Sequence, residues 1–137
     1  MSDPSLKQSI EFAQENNDSF IEQYKAFLSI PSIGTDPHHQ DDVRNAAEWI
    51  LVETERIGLE HCQILEPEGQ PAVYADWLHA GEDAPTVLLY AHYDVQPVDP
   101  LDLWDSPPFE PTVREGKLYA RGAIDDKAGV FLHLKAL

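Results

Sequence analysis

The chain has 137 residues, 42% of them hydrophobic, which is enough to build one domain around a core and argues against disorder. Its 25 acidic residues outnumber the 9 basic ones, and the formal charge of −16 repels phosphate backbones and anionic membrane surfaces. We therefore expect neither a nucleic-acid partner nor a membrane partner.

The cysteine content and the N-terminal sequence bear on the compartment. Cys62 is the single cysteine, which excludes an intramolecular disulfide framework and a metal site built from several cysteines. The first twenty residues lack a basic segment followed by an apolar one, and no run of about 18 apolar residues occurs. These features favour a reducing compartment, and we predict a cytoplasmic protein.

Two helices are predicted in the first half of the chain. Apolar residues recur at helical spacing from Phe20 to Leu28, and the stretch "SIPSIG" then stops the pattern. A second periodic set runs from Val43 to Ile57 after two acidic residues, and Gly58 provides a C-terminal cap.

Three strands are predicted next. "HCQIL" and "PAVYADWL" are short strands on either side of a turn, and "TVLLYAHYDV" is apolar on both faces, which is typical of an interior strand. We expect the third to be the central strand of a mixed sheet, ending at His92.

The remaining segments continue this alternation of strand and helix. The proline-rich residues 97–111 indicate a long ordered loop rather than a linker between domains. A short strand is predicted around Leu118 and Tyr119, followed by a turn at Gly122 and a helix from about Lys127. The pattern predicts an α/β fold.

His92 and Asp94 are the first candidate site residues. Side chains at positions i and i+2 of a strand point to the same face, so this imidazole and carboxylate can converge on one object just past the strand end. That object is a metal ion, a substrate or simply the other member of the pair.

Asp125 and Asp126 form the second candidate cluster. Aspartate is a favoured N-cap, and carboxylates near a helix N-terminus are stabilised by its dipole, so one aspartate here needs no further explanation. Ligands of open α/β sheets bind at the carboxyl ends of strands, where both clusters fall. From the residues alone, helix capping and a metal site both stay open.

The other histidines and the tryptophans favour ordinary structural roles. Arg121 precedes the acidic turn, and it either supports that turn or forms a surface salt bridge. We expect no ligand role for five histidines, and core or loop positions for the three tryptophans: His38, His39, His61, His79 and His133; Trp49, Trp77 and Trp104.

The segment "YAHYDVQPVDPLDLWDSPPFEPTVREGKLYARGAIDDKAG" resembles the N-terminal catalytic segment of a family of dinuclear zinc metallopeptidases. That family includes carnosinase-like dipeptidases, aminoacylases and the desuccinylases of lysine synthesis. The resemblance covers roughly residues 85 to 130, with weaker agreement from "FLSIPSIGT" onward. The variant "HYDVQP" is more similar to the dipeptidase branch than to the acylase branch.

The resemblance implies roles for three residues and a fold. His92 matches a zinc ligand, Asp125 matches the carboxylate that bridges two zinc ions, and Asp94 matches the catalytic acid that orients the histidine. In the family the peptide bond that follows the bridging carboxylate is usually cis, which carries over to Asp125–Asp126. The implied fold is the N-terminal part of a zinc-exopeptidase-like, three-layer α/β/α catalytic domain with a mixed sheet.

The resemblance also implies an activity. It predicts hydrolysis of peptide bonds in dipeptides, or of the amide bonds of N-acyl amino acids, by water activated by two zinc ions, with manganese or cobalt as other possible metals. A parent homodimer is implied, and no residue is assigned to substrate binding. The family's glutamate base and remaining ligands come later in the chain than Asp125. We therefore expect residues 1–137 to be the N-terminal portion of the catalytic domain, without the dimerisation domain and inactive alone.

Two alternatives stay open beside a zinc dipeptidase or deacylase. In the first alternative, the chain is a non-catalytic remnant that acts as a binding or interaction module. In the second, it is an unrelated hydrolase that uses His92 and Asp94 as acid and base without metal. Chelation would leave the second of these active.

Overall fold

The structure, a computed structural model, describes residues 4–137. Within that range it contains four α-helices and four β-strands, with single-turn 3₁₀ helices at Pro37–His39 and Leu101–Leu103. The helices are α1 (Pro4–Glu15), α2 (Asn17–Leu28), α3 (Gln40–Arg56) and α4 (Lys127–Ala136). The strands are β1 (Glu60–Leu65), β2 (Ala72–Asp76), β3 (Thr112–Arg114) and β4 (Lys117–Tyr119).

The two predicted helices of the first half are confirmed as α2 and α3. Helix α3 has Asp41 and Asp42 in its first turn and Arg56 in its last, an arrangement that complements the helix dipole. It is followed by Gly58 at φ +87°, a left-handed conformation in which glycine is favoured. Helix α1 was not predicted, because its segment contains few apolar residues; in the structure those residues are exposed, among them Leu6 and Phe12.

The core lies where helices α2, α3 and α4 pack together. Its buried residues include Phe27 from α2, Ile50 from α3 and Leu134 from α4. The Phe27 ring stacks on the Trp49 ring with 4.5 Å between centroids, which confirms Trp49 as a core residue. Burying a phenylalanine completely stabilises a fold by about 1.5–3 kcal/mol, so Phe27 is one of the larger single contributions to this core.

The four strands form two antiparallel pairs. β1 pairs with β2, with a register irregularity between Glu60 and Gln63, and β3 pairs with β4 through a tight turn. The predicted strands "HCQIL" and "PAVYADWL" and the short strand around Leu118 are thereby confirmed. The helix predicted from about Lys127 is α4.

The prediction of a central strand over "TVLLYAHYDV" is wrong for this structure. Residues 86–92 have no strand assignment, and Leu88 is 87% exposed. A strand needs a hydrogen-bonded neighbour, and among residues 4–137 none pairs with this segment. The apolar side chains that indicated an interior strand are therefore exposed to solvent, Leu88 most of all.

One parallel bridge connects the turn after α2 to the segment that carries His92. It pairs Ile33 with Val95, and both side chains are buried. The bridge places Val95, three residues beyond the 86–92 segment, among the buried core residues rather than in a continuous sheet. In the described part of the chain, no helix is both long enough and apolar enough to span a bilayer.

Candidate metal site

Three predicted site residues, His92, Asp94 and Asp125, meet at one place in the structure. His92 Nδ1 lies 3.0 Å from Asp94 Oδ1, and His92 Nε2 lies 3.2 Å from Asp125 Oδ1. The imidazole therefore lies between two carboxylates, one from its own segment and one from a turn 33 residues later. The acidic turn and the histidine converge as the sequence predicted, although the strand that was expected to carry His92 is not formed.

Asp94 fixes the orientation of the imidazole. His92 Nδ1 lies within hydrogen-bonding distance of both the Asp94 carboxylate, at 3.0 Å, and the Asp94 carbonyl oxygen, at 3.2 Å. Both of these atoms are acceptors, so Nδ1 carries the hydrogen and donates it. In the neutral ring the lone pair then lies on Nε2, which faces Asp125.

The electrostatics of this arrangement require a positive charge. Partial burial lowers the pKa of His92, but the hydrogen bonds and charge of Asp94, with the charge of Asp126, outweigh it and leave that pKa raised. A lone pair on Nε2 and a carboxylate oxygen 3.2 Å away repel each other unless a proton or a cation lies between them.

The donor atoms also fit a metal ion. Two ligand atoms on one tetrahedral zinc ion, each at about 2.0–2.1 Å, lie roughly 3.3 Å apart, close to the observed separation of His92 Nε2 and Asp125 Oδ1. The Asp125 side chain is 81% exposed, so its second oxygen is accessible to a further ligand.

The turn that holds Asp125 is built by its neighbours. The Asp125–Asp126 peptide bond is cis, as the resemblance implied. Asp126 occupies the N-cap position of α4 but makes no side-chain capping bond; its Oδ2 instead accepts the backbone N–H of His92 at 3.2 Å. Capping alone therefore does not explain the pair of aspartates. The contact of Asp126 with His92 was missed, since sequence does not show which distant N–H faces a carboxylate.

The turn after α2 supports the other side of the site. Ser32 is fully buried and donates its hydroxyl to the Tyr93 carbonyl at 2.7 Å, while Val95 N–H donates to the Ser32 carbonyl at 2.8 Å. The backbone of Gly34 approaches Asp94 so closely that a Cβ on Gly34 would lie 2.7 Å from Asp94 Oδ2. The sequence predicts that "SIPSIG" ends a helix, but it does not predict the contact of this turn with Asp94.

Lys127 lies beneath the acidic turn with none of its surface exposed. Its Nζ donates to the carbonyl oxygens of Phe27, at 2.9 Å, and Ile30, at 2.6 Å. Burial lowers the pKa of Lys127 to about 7, against the opposing charge of Asp42. The sequence marked this lysine only as the start of a helix.

Arg121 supports the loop before the acidic turn. One guanidinium nitrogen donates to the Pro97 carbonyl at 3.0 Å, and the guanidinium carbon lies 5.3 Å from the centre of the Trp104 ring. The Arg121 backbone N–H donates to Pro108. Among the described residues it forms no salt bridge, and these contacts lie in the 97–111 loop rather than in the acidic turn, so neither predicted role is the one observed.

The other paired histidines bind carboxylates at the surface. His38 pairs with Asp36 and His39 with Asp42, on or beside the first 3₁₀ helix. His61 lies on β1, and its Nδ1 is 2.8 Å from Asp76 Oδ1. His79 follows β2, and its Nε2 is 2.8 Å from Glu60 Oε2.

The exposed pairs on β1 and β2 contain a second set of metal-ligand atoms. Ligand atoms of Glu60, His61 and Asp76 lie within 4.8 Å of one another, and in residues 4–137 this is the one group of three such side chains. The ion pair between His61 and Asp76 and the strand register, which places Glu60 opposite Asp76, account for their proximity. At the candidate site, by contrast, the described residues bring together two direct ligands, His92 and Asp125, with Asp94 behind the imidazole.

Comparison with known proteins identifies relatives of this segment. Residues 88–137 match the family described as peptidase family M20/M25/M40. The chain is 34% identical over 122 residues to a cysteinylglycine-S-conjugate dipeptidase of Corynebacterium striatum, an alignment that covers 89% of this chain and 27% of that protein.

Two solved structures are similar in fold. Human carnosine dipeptidase 1 matches with a TM-score of 0.83 and 25% identity, covering 99% of this chain and 31% of that one. An M20 family metallo-carboxypeptidase from Sulfolobus solfataricus matches with a TM-score of 0.77 and 32% identity, covering 85% of this chain and 26% of that one. These likenesses confirm the predicted α/β fold class. The chain spans about a quarter to a third of the length of these relatives.

Proposed function

We propose that this chain belongs to peptidase family M20/M25/M40, whose family model matches residues 88–137. It would then be part of a metal-dependent dipeptidase and supply two ligands to a site for two zinc ions. The observation that carries this proposal is the position of the His92 imidazole, 3.2 Å from Asp125 and 3.0 Å from Asp94. Relatives whose names state that they are dipeptidases favour a dipeptide as substrate.

Each of the three residues has a distinct role in this proposal. His92 presents the lone pair of Nε2 to one metal ion, since Nδ1 is engaged by Asp94. Asp125 offers two oxygens and so would serve as a ligand to both ions. Asp94 holds the ring in one orientation, and its negative charge makes Nε2 a stronger donor to the metal. The bound ions would lower the pKa of a water molecule and polarise the substrate carbonyl.

The described residues do not complete such a site. A catalytic zinc ion normally has about three protein ligands besides water, and here two residues would be shared between two ions. We therefore propose that residues 1–137 are a portion of the catalytic domain, and that the other ligands and the general base lie outside them. Alone, the chain is expected to bind metal weakly and to hydrolyse no dipeptide above a metal-free control.

Metal binding by the chain tests the ligand assignment. Cobalt(II) is paramagnetic and broadens the NMR signals of nearby nuclei, so a titration followed at the His92 ring measures even weak binding. Both His92→Ala and Asp125→Asn should abolish saturable binding at this site. In both variants the binding is measured from the backbone signals of Asp94, and in Asp125→Asn it is also measured from the His92 ring. His38→Ala, which removes a histidine–carboxylate pair at the surface, is the matched control and should leave these effects unchanged.

Activity tests the reaction. A longer protein containing these residues should hydrolyse dipeptides in a chelator-sensitive way and lose that activity on His92→Ala. Turnover that survives chelation would contradict a metal mechanism, and hydrolysis of N-acetyl amino acids in place of dipeptides would identify a deacylase. Chelator-sensitive turnover by residues 1–137 alone would contradict the proposal that the site needs ligands from elsewhere.

A further inference from the structure

Lys127 connects the two parts of the candidate site through the protein interior. It is the first residue of α4 and follows Asp125 by two positions, yet its Nζ donates to Phe27 and Ile30, about 100 residues earlier in the chain. The side chain runs from the acidic turn, beneath the site, to the C-terminal end of α2.

The carbonyl groups that Lys127 binds lie at the C-terminal end of α2 and just beyond it. Each also accepts a backbone N–H, Phe27 from Ile30 at 3.4 Å and Ile30 from Ser32 at 2.9 Å. A cation at this end of a helix is favoured by the helix dipole. The Nζ atom also lies 4.8 Å from the centre of the Phe27 ring, within the range of a cation–π contact. A buried ammonium group is costly unless it is paired, so these contacts define one position for it.

The segment that Lys127 binds is also the one that supports Asp94. From Ile30 the chain continues to Ser32, which bonds to the segment on both sides of Asp94, and to Gly34, whose backbone contacts the Asp94 side chain. One end of Lys127 is therefore covalently joined to the turn that carries Asp125, and the other is bonded to the support of Asp94.

We propose that Lys127 is a positioning residue of the metal site, holding Asp125 at its distance from His92. This inference rests on the proposed function, because the separation it maintains matters only if His92 and Asp125 share a metal ion. Lys127 itself touches neither metal nor substrate in this proposal. It acts by fixing where the acidic turn lies relative to the end of α2.

Lys135 provides a matched control on the same helix. Its side chain is 9% exposed, and its Nζ bonds to Gln23 of α2 at 2.7 Å and to Glu53 of α3 at 2.9 Å. It thus resembles Lys127 in residue type, burial and the joining of α4 to other helices. None of its partners belongs to the segments that hold His92, Asp94 or Asp125.

The experiment compares Lys127→Met with Lys135→Met in the 137-residue chain. Urea unfolding reports the stability of each variant, and the cobalt(II) titration at the His92 ring reports the dissociation constant of the folded protein. We expect both variants to unfold at lower urea concentration. Lys127→Met alone should raise the cobalt(II) dissociation constant, by about 10-fold or more, as loss of a residue that orients metal ligands commonly does.

A second variant covers the case in which Lys127→Met does not fold. Lys127→Gln keeps an N–H donor for one of the two carbonyls, and its folded form should also bind cobalt(II) more weakly than the unmodified chain. A folded Lys127 variant with an unchanged dissociation constant, or an equal loss of affinity in Lys135→Met, would overturn the positioning role. If the unmodified chain shows no cobalt(II) effect at His92, the proposed ligand set fails first, and this inference fails with it.

Discussion

Replacing Gly34 by alanine perturbs Asp94 without altering any charged or hydrogen-bonding side chain. The added Cβ would lie 2.7 Å from Asp94 Oδ2 and 2.9 Å from Asp94 Cβ, both too close for atoms in contact. The φ of Gly34 lies outside the left-handed region, so the alanine backbone itself is unstrained. The effect of the substitution therefore acts through the Asp94 side chain.

The distances give the size of the effect. Ordinary van der Waals contact begins at 3.4 Å, so Asp94 Oδ2 must move by about 0.7 Å from its present 2.7 Å. A similar shift of Oδ1 lengthens its 3.0 Å bond to His92 Nδ1 beyond the length of a hydrogen bond. Because Asp94 is 38% exposed it can move outward, so we expect a loss of stability near the lower end of about 1–3 kcal/mol. The affinity for cobalt(II) should fall by about 10-fold.

Two measurements separate these effects. Urea unfolding gives the change in stability, and the NMR titration at the His92 ring gives the change in affinity. Gly69→Ala is the control, because Gly69 has φ +121° and a Cβ added there would meet no described atom within 4 Å. Gly69→Ala should destabilise through its backbone alone and leave affinity unchanged. The reasoning is refuted if folded Gly34→Ala shows wild-type His92 signals and wild-type affinity.

Three further predictions concern the site, the core and a surface pair. Asp125→Asn should abolish saturable cobalt(II) binding at His92, a larger loss than that in Gly34→Ala, because it removes a direct ligand and its charge; an unchanged affinity would contradict the ligand assignment. Phe27→Ala should lower the free energy of unfolding by about 3–5 kcal/mol, measured in urea, since a fully buried ring stacked on Trp49 is lost. The hydrogen bond between His61 and Asp76 is the main cause that raises the pKa of His61 and lowers the pKa of Asp76. At about pH 5.5 both groups are charged, so a double-mutant cycle should detect a stabilising coupling energy between them. The coupling should be lost as the pH rises through the raised pKa of His61, and also as it falls through the lowered pKa of Asp76; equal coupling at about pH 5.5 and pH 9 would contradict this.

The sequence by itself determined the features that depend on local pattern. Helices α2 and α3 follow from apolar residues at helical spacing, and the end of α3 follows from Gly58. The spacing of His92 and Asp94 predicted that the imidazole and the carboxylate converge, and their side chains do bond, although the strand from which this was argued is not formed. These outcomes depend on residues a few positions apart, whose geometry the backbone fixes directly.

Only the tertiary structure decided the features that join distant segments. The apolar stretch at 86–92 indicated a strand, but a strand also needs a partner, and no described residue pairs with it. In the sequence, nothing distinguishes Lys127 from another lysine at the start of a helix, whereas in the structure its ammonium group donates to the Phe27 carbonyl. The contact between Gly34 and Asp94 likewise joins residues that lie far apart in the chain. Such contacts are set by the packing of whole elements, which no short pattern encodes.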